Sequence, residues 1–274
     1  MTNHLIALSD GSDFSWRAVR LAARLSTMID LPLEVVEVAL LPGDVGVTER
    51  SLRQRVDDEL PDLADSVTVN VLVQDDRIAS TIAAYVEALG DGSLVVMSSV
   101  GRGRSAALLG SIAEDLLHHL LGPILVLGPE VDPGRFHLDG RLLVPVDGSA
   151  TSEYALGLAA AWGIEHGAVP WLVHVVDPSE LPPGGDVDET AYVARTAQRL
   201  REQSHHGVEF EVLHGHSAHR AVIDAATAED VSLIVTSTHG RTGLARVAAG
   251  SEAMGMIHGS PVPVLLVRPP TLTS

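Results

Sequence analysis

Short unbroken apolar runs alternate along the chain with longer stretches in which apolar residues recur every three or four positions. The succession is clearest in the C-terminal half. "RLLVPV" (141–146) is a continuous apolar run, the pattern of a strand covered on both faces. Ala155, Leu158, Ala159 and Trp162 then fall at i, i+3, i+4 and i+7, one face of a helix whose start Ser149 or Ser152 can cap. Next come a strand at "PWLVHVV" (170–176), a loop at 177–189, a helix near 189–203 and a strand at "VEFEVLH" (208–214). A helix near 217–229, the strand "SLIVTS" (232–237), a glycine-punctuated connection, a helix from Ser251 and the strand "VPVLLV" (262–267) complete the unit. Strands separated by helices imply right-handed parallel crossovers, with helices on both faces of one sheet.

The N-terminal half repeats this plan. "LIALSDGSDFSWRAVRLAARL" (5–25) aligns with "LLVPVDGSATSEYALGLAAAW" (142–162), matching Asp10, Gly11, Ser12 and Ser15 to Asp147, Gly148, Ser149 and Ser152. "SLVVMSSVGRGRSAALLGS" (93–111) pairs with "SLIVTSTHGRTGLARVAAGS" (232–251), and "PILVLGP" (123–129) with "PVLLVRP" (263–269). A duplication of this kind predicts two tandem doubly wound α/β domains, each with a five-stranded parallel sheet, at 1–133 and 139–274. The connection is the Gly-, Pro- and Asp-rich "GPEVDPGRFHLDG" (128–140).

Composition narrows the function classes. A formal charge of −18 opposes a nucleic-acid surface, which needs clustered cations, and opposes docking on an anionic membrane. The chain of 274 residues has no cysteine, so disulfides, thiolate nucleophiles and cysteine-ligated metals are out. No basic region followed by a long apolar stretch opens the sequence, and a cytoplasmic location is expected. All 18 basic residues are arginine, which removes the lysine of a Walker-type phosphate loop. A phosphate site here relies on backbone N–H groups, hydroxyls, arginine or a metal ion.

In a doubly wound sheet, ligands occupy the crevice beyond the carboxyl ends of the strands, where the winding direction reverses. Asp10 and Asp147 end the first strand of each half, and a glycine-rich loop ends the fourth. A carboxylate there can accept hydrogen bonds from ribose hydroxyls. A Gly-Ser pair at a helix start offers free N–H groups and the positive end of the helix dipole to phosphate. Taken singly, Asp-Gly-Ser is a common turn and cap, and Gly250-Ser251 a simple N-cap. Their joint recurrence in both halves favours a ligand site.

The two halves resemble the universal stress protein family in its tandem form, over nearly the whole chain. The resemblance implies a Rossmann-like sheet, akin to adenine nucleotide alpha hydrolases, with strands one and four side by side. ATP-binding members carry Gly, two residues, Gly, nine residues and Gly-Ser or Gly-Thr. The second half has Gly240, nine residues, then Gly250-Ser251, with Ser237 in the place of the first glycine. The resemblance implies that Asp147 binds the ribose or adenine end and that Val175 lines the base pocket through its backbone. Pro145 and Thr236 would shape that pocket. Gly240, Gly250 and Ser251 would hold phosphates, with His239 and Arg241 beside them. In the first half, Asp10, Val38, Ser98, Gly101, Gly110 and Ser111 occupy the matching places, but only eight residues separate Gly101 from Gly110. The first site therefore ranks below the second, although Arg102 and Arg104 stand where they could meet phosphates.

Other motifs suggest less. His214, His216 and His219 could hold zinc or nickel, but no carboxylate or cysteine completes the set locally. His118-His119 and His205-His206 read as helix-end pairs, and Trp16, Trp162 and Trp171 as packing residues. Ser12 and Ser149 lack a nucleophile-elbow context. The functional expectation is a stress-response regulator that binds ATP or a related adenine nucleotide, with Mg²⁺ as accompanying ion, rather than an efficient enzyme. Slow ATP turnover is compatible with it. The halves would pair as an internal pseudo-dimer or in a homodimer, with a further protein partner still to be identified. The alternative is an adaptor or scaffold of the same fold that binds no nucleotide. A hydrolase or nucleotidyl transferase lacks its nucleophile or lysine.

Overall fold

The apolar runs form parallel strands because both of their faces are covered. In a computed structural model, residues 2–90, 92–101, 111–120, 122–181, 186–237 and 251–269 are described, with the backbone alone at 111. The chain divides into two compact units, Met1–Pro129 and Glu130–Ser274. The first runs β1 (His4–Leu8), α1 (Asp13–Ile29), β2 (Leu33–Ala39), α2 (Val45–Glu59), β3 (Thr68–Val73), α3 (Ile78–Ala88), β4 (Ser93–Ser98), α4 (Ser111–His119) and β5 (Ile124–Leu127). The second runs β6 (Arg141–Pro145), α5 (Ala150–Glu153), α6 (Ala155–His166), β7 (Val169–Val176), α7 (Val187–Ser204), β8 (Glu209–His214), α8 (Ala218–Ala228), β9 (Val231–Ser237), α9 (Ser251–Gly259) and β10 (Val264–Val267).

Each unit is a doubly wound α/β domain. Strand order is β3-β2-β1-β4-β5 in the first and β8-β7-β6-β9-β10 in the second. The first and fourth strands of each unit are therefore neighbours, and the winding reverses between them. Register repeats as well. Leu5 lies opposite Leu33 and Leu94, and its counterpart Leu142 lies opposite Pro170 and Leu233. One irregularity is new. The register between β6 and β9 shifts at Arg141/Leu142, where the Ser232 hydroxyl donates to the Arg141 carbonyl at 3.3 Å. Apolar alternation cannot show this, because every residue of β9 is buried.

The central strands are sealed by helices. Leu5, Ile6, Ala7 and Leu94–Met97 are all buried, and so are Trp16, Trp162 and Trp171. Arg20 and Arg55 tie α1 to α2 through Glu59 and Asp13, and Arg55 also lies over the Trp16 ring at 4.6 Å. No helix among the described residues is long and apolar enough to cross a membrane.

The helix expected after β6 is two pieces. Tyr154 closes α5 by donating its N–H to both Ala150 and Thr151 carbonyls, at 3.1 and 3.2 Å, a tightening typical of a short 3₁₀ step. Its continuation α6 carries two glycines with opposite surroundings. A Cβ on Gly163 would stand 2.8 Å from the Ala168 carbonyl oxygen, a backbone atom with little freedom to move, whereas a Cβ on exposed Gly157 meets nothing within 4 Å. Helix propensity favours alanine at both by about 1 kcal/mol, so sterics decide. Gly157→Ala should stabilise the protein by about 0.5–1 kcal/mol. Gly163→Ala should destabilise it by about 1–3 kcal/mol. Urea unfolding of the two variants measures both signs.

Candidate functional site

The turn after the first strand is built the same way in both domains. Gly11 and Gly148 adopt φ of 76° and 81°, the left-handed region open to glycine, which lets the chain fold back under the strand end. The preceding carboxylate then bonds to its own loop: Ser12 N–H donates to Asp10 Oδ1 at 2.9 Å, and Ser149 N–H to Asp147 Oδ1 at 2.9 Å. Sequence left two serines as possible caps. Ser12 and Ser149 are the caps, accepting the N–H of Ser15 and Ser152 at 3.2 and 3.1 Å. Ser15 and Ser152 sit one turn inside, where each hydroxyl accepts the aspartate N–H and donates to the cap carbonyl.

Helices two and seven hold these turns in place, a role no motif announced. Arg55 donates to the Gly11 carbonyl at 2.7 Å while pairing with Asp13. In the second domain, Arg199 and Tyr192 both reach Glu153, Tyr192 at 3.0 Å. Burial and the Glu153 carboxylate push the Tyr192 phenol up to about 12. His174 accompanies it, with its ring edge-on to Tyr192 and its Nδ1 2.7 Å from the Val146 carbonyl oxygen.

In the first domain, the carboxyl ends of β1, β2 and β4 and the flanks of α3 and α4 border an open cleft of about 330 Å³. Asp10, Val38, Ser98 and Gly101 all line it, so four candidate residues from three strands converge on one space. A Cβ on Gly101 would stand 2.6 Å from Asp10 Oδ2, so a larger residue there would have to displace that carboxylate. Gly101, three residues past the end of β4, thus lies against the carboxylate at the end of β1. Ser98, in the place of a glycine, starts the loop after β4 by accepting the Val100 N–H at 3.2 Å. Sequence reasoning missed Glu37, Leu40, Ile78, Ile112 and Leu116 in the cavity wall. A glutamate inside the apolar run of β2 was the available signal for the first of these.

In the second domain, Pro145, Asp147, Val175, Thr236 and Ser237 all lie at carboxyl strand ends or in the turn after β6, with Thr236 and Ser237 buried. Ser251 is the first residue of α9. Gly110, His239, Gly240, Arg241 and Gly250 lie outside the described residues, as does the side chain of Ser111.

The three histidines of "HGHSAH" do meet carboxylates, but separately and from distant segments. His214 pairs with Asp186 at 3.1 Å, His216 with Asp177 at 2.9 Å and His219 with Glu252 at 3.1 Å. Among the described residues no group of three such side chains converges on a metal position. His119 and His206 instead contact carbonyls of Asp115 and Ala168, and His205 ends α7 in the left-handed conformation.

Family comparison agrees with this architecture. The model of the universal stress protein family matches residues 1–128 and again 140–268. The chain belongs to the universal stress protein family. A universal stress protein of Mycolicibacterium smegmatis is 28% identical over 95% of this chain and 95% of its own length. Universal stress protein Rv2005c of Mycobacterium tuberculosis is 30% identical over 72% and 69% respectively. Among solved structures, a universal stress protein from Archaeoglobus fulgidus superposes with a TM-score of 0.70 at 18% identity, covering 98% of this chain and 99% of that one. That likeness concerns the fold.

Within this family member, Asp177 follows β7 and its carboxyl is held below the usual range by the Ser179 hydroxyl and N–H, at 2.7 and 2.8 Å, with His216 adding to the effect. A depressed carboxyl contributes stability above its unfolded pKa and loses it as pH falls through the folded value. Ser179→Ala should move the Asp177 titration upward and shift that loss to higher pH. Carbon-detected NMR titration of the carboxyl checks it.

Proposed function

We propose that this universal stress protein binds ATP or a related adenine nucleotide in its second domain and acts as a stress-response regulator in the cytoplasm, not as an efficient enzyme. The first domain, with Asp10, Val38, Ser98, Gly101, Gly110 and Ser111, carries a weaker counterpart of that site. One observation carries the reading. In the first domain the turn carboxylate of Asp10 lies against Gly101, 2.6 Å from where its Cβ would be, and the Asp147 turn has the same hydrogen-bond network. This is the crevice at the reversal of strand order, where doubly wound sheets take ligands. The cavity of about 330 Å³ suits the nucleoside part of a nucleotide, being at the low end of the roughly 300–1,000 Å³ typical of small-molecule pockets.

In this reading Asp147 accepts hydrogen bonds from the ribose or base, Val175 offers its backbone, and Pro145 and Thr236 shape the base pocket. Ser237, His239, Gly240, Arg241, Gly250 and Ser251 surround the phosphates, with Mg²⁺ offsetting their charge. The absence of any lysine supports binding without turnover, since no side chain of the Walker type can follow charge onto a leaving phosphate.

Titration of the full chain with ATP and Mg²⁺ tests it. Saturable binding is expected. Asp147→Ala should weaken it by about tenfold or more, the effect of losing a charged hydrogen bond worth roughly 1.5–3 kcal/mol. Asp147→Asn, which can still accept from Ser149, should lose less, and Asp10→Ala less again. Wild-type protein that neither binds ATP nor releases nucleotide on denaturation would leave the adaptor reading instead.

A further inference from the structure

Helix α8 begins without a side-chain cap of its own, for its N-cap residue Ser217 makes no such hydrogen bond. The acceptor comes from the next helix. Glu252, the second residue of α9, takes the His219 N–H on Oε2 at 2.6 Å, and the same oxygen lies 3.1 Å from His219 Nδ1. One carboxylate thus meets the starts of two helices, where free N–H groups and the positive dipole end favour an anion. The two helices also pack closely. Gly255 and Gly259 of α9 face His219 and Ile223 of α8, one turn apart on each, and a Cβ on these glycines would stand 2.5 and 2.6 Å from those side chains.

The first domain is built differently at the matching place. There the start of α3 is closed locally, with the Arg77 N–H donating to Ser80 Oγ at 3.1 Å. By the internal repeat, Ile112 stands where α9 has Glu252. Glu252 directly follows Ser251, which the nucleotide reading places at the phosphates. A carboxylate in that first turn opposes a phosphate by like-charge repulsion and competes with it for the same N–H groups. Held at the start of α8, its charge is turned to another helix and answered there by a charge-assisted hydrogen bond. With its hydrogen on Nδ1, the His219 ring adds a second donor. Without that ring the carboxylate is freer to turn to the start of its own helix.

We infer that His219 is a positioning residue of the second-domain site: by engaging Glu252 it keeps a carboxylate away from the phosphates at the start of α9. This rests on the nucleotide reading for the place of the phosphates, and goes beyond it in naming a residue that acts through another. Removing the His219 donor while Glu252 stays charged should therefore harm anion binding more than removing the Glu252 charge itself. A pair that merely ties two helices together gives the opposite order, since either change would then loosen α9.

Calorimetric titration of the full chain with ATP and with tripolyphosphate, each with Mg²⁺, tests this at the tighter site. His219→Leu, which fills the space against Gly255 but cannot donate, should weaken binding by about fivefold. His219→Asn, whose amide nitrogen stands in for Nδ1, should keep the wild-type affinity. Glu252→Gln, which still accepts the His219 N–H without the charge, should bind at least as tightly as wild type, and adding His219→Leu to it should cost little. An unchanged His219→Leu variant, a loss that persists in the double variant, or weaker binding by Glu252→Gln would each overturn the inference and leave the nucleotide reading standing. The Glu252→Gln titration decides even where a His219 variant fails to fold. Wild-type protein that binds tripolyphosphate but not ATP would overturn the nucleotide reading alone, with the same variants then judged on tripolyphosphate. Binding of neither probe overturns both.

Discussion

A carboxylate bonded to its own loop fixes the end of the first strand in each domain. Asp10 and Asp147 take the N–H two residues on, a left-handed glycine turns the chain, and a serine caps the helix that follows. This satisfies polar groups of an abrupt strand-to-helix connection within the chain itself. The position of α1 and α6, and hence the packing of Trp16 and Trp162 beneath them, follows from that turn. Arg55, and Arg199 with Tyr192, brace it from the next helix in the chain.

In the first domain the same carboxylate is both a structural acceptor and part of the wall of the crevice at the reversal of strand order. Its second oxygen in the first domain faces Gly101, and the glycine keeps the β4 loop close without a clash. Duplication has preserved this arrangement in both halves while the walls above it diverged. Aliphatic side chains close the first crevice from α3 and α4. In the second domain the equivalent helices meet through His219 and Glu252, and the His219 ring packs so closely on Gly255 that a Cβ there would fall 2.5 Å away.

Much of the fold was legible in the residue pattern, for identifiable reasons. Continuous apolar runs such as "SLIVTS" mark strands buried on both faces, and the repeated Asp-Gly-Ser, followed by spaced alanines and leucines, marks the turn and first helix of each half. Asp10 was legible as the residue ending the first strand, whereas Val38, Ser98 and Gly101 came from the family resemblance; the structure brings all four to the wall of one cavity. The cavity wall was not found, since Ile78, Ile112 and Leu116 follow helical periodicity like any core residue. Nothing in sequence says that they stop short of filling the space between them. The histidine cluster has partners that local spacing does not show. Its carboxylates exist but come from Asp177, Asp186 and Glu252, far from it along the chain.

By itself the sequence determined the duplication, the alternation of strand and helix, the lysine-free chemistry and the turn that ends each first strand. All of these depend on local spacing, composition or self-similarity, which a linear chain displays directly. Only the tertiary structure decided which serine caps, where β9 slips in register, which glycine of α6 tolerates a side chain and how the two crevices differ. Those outcomes turn on distances between segments distant along the chain. A carbonyl oxygen 2.8 Å from a missing Cβ, or an aliphatic wall opposite a carboxylate, exists only once the segments have packed.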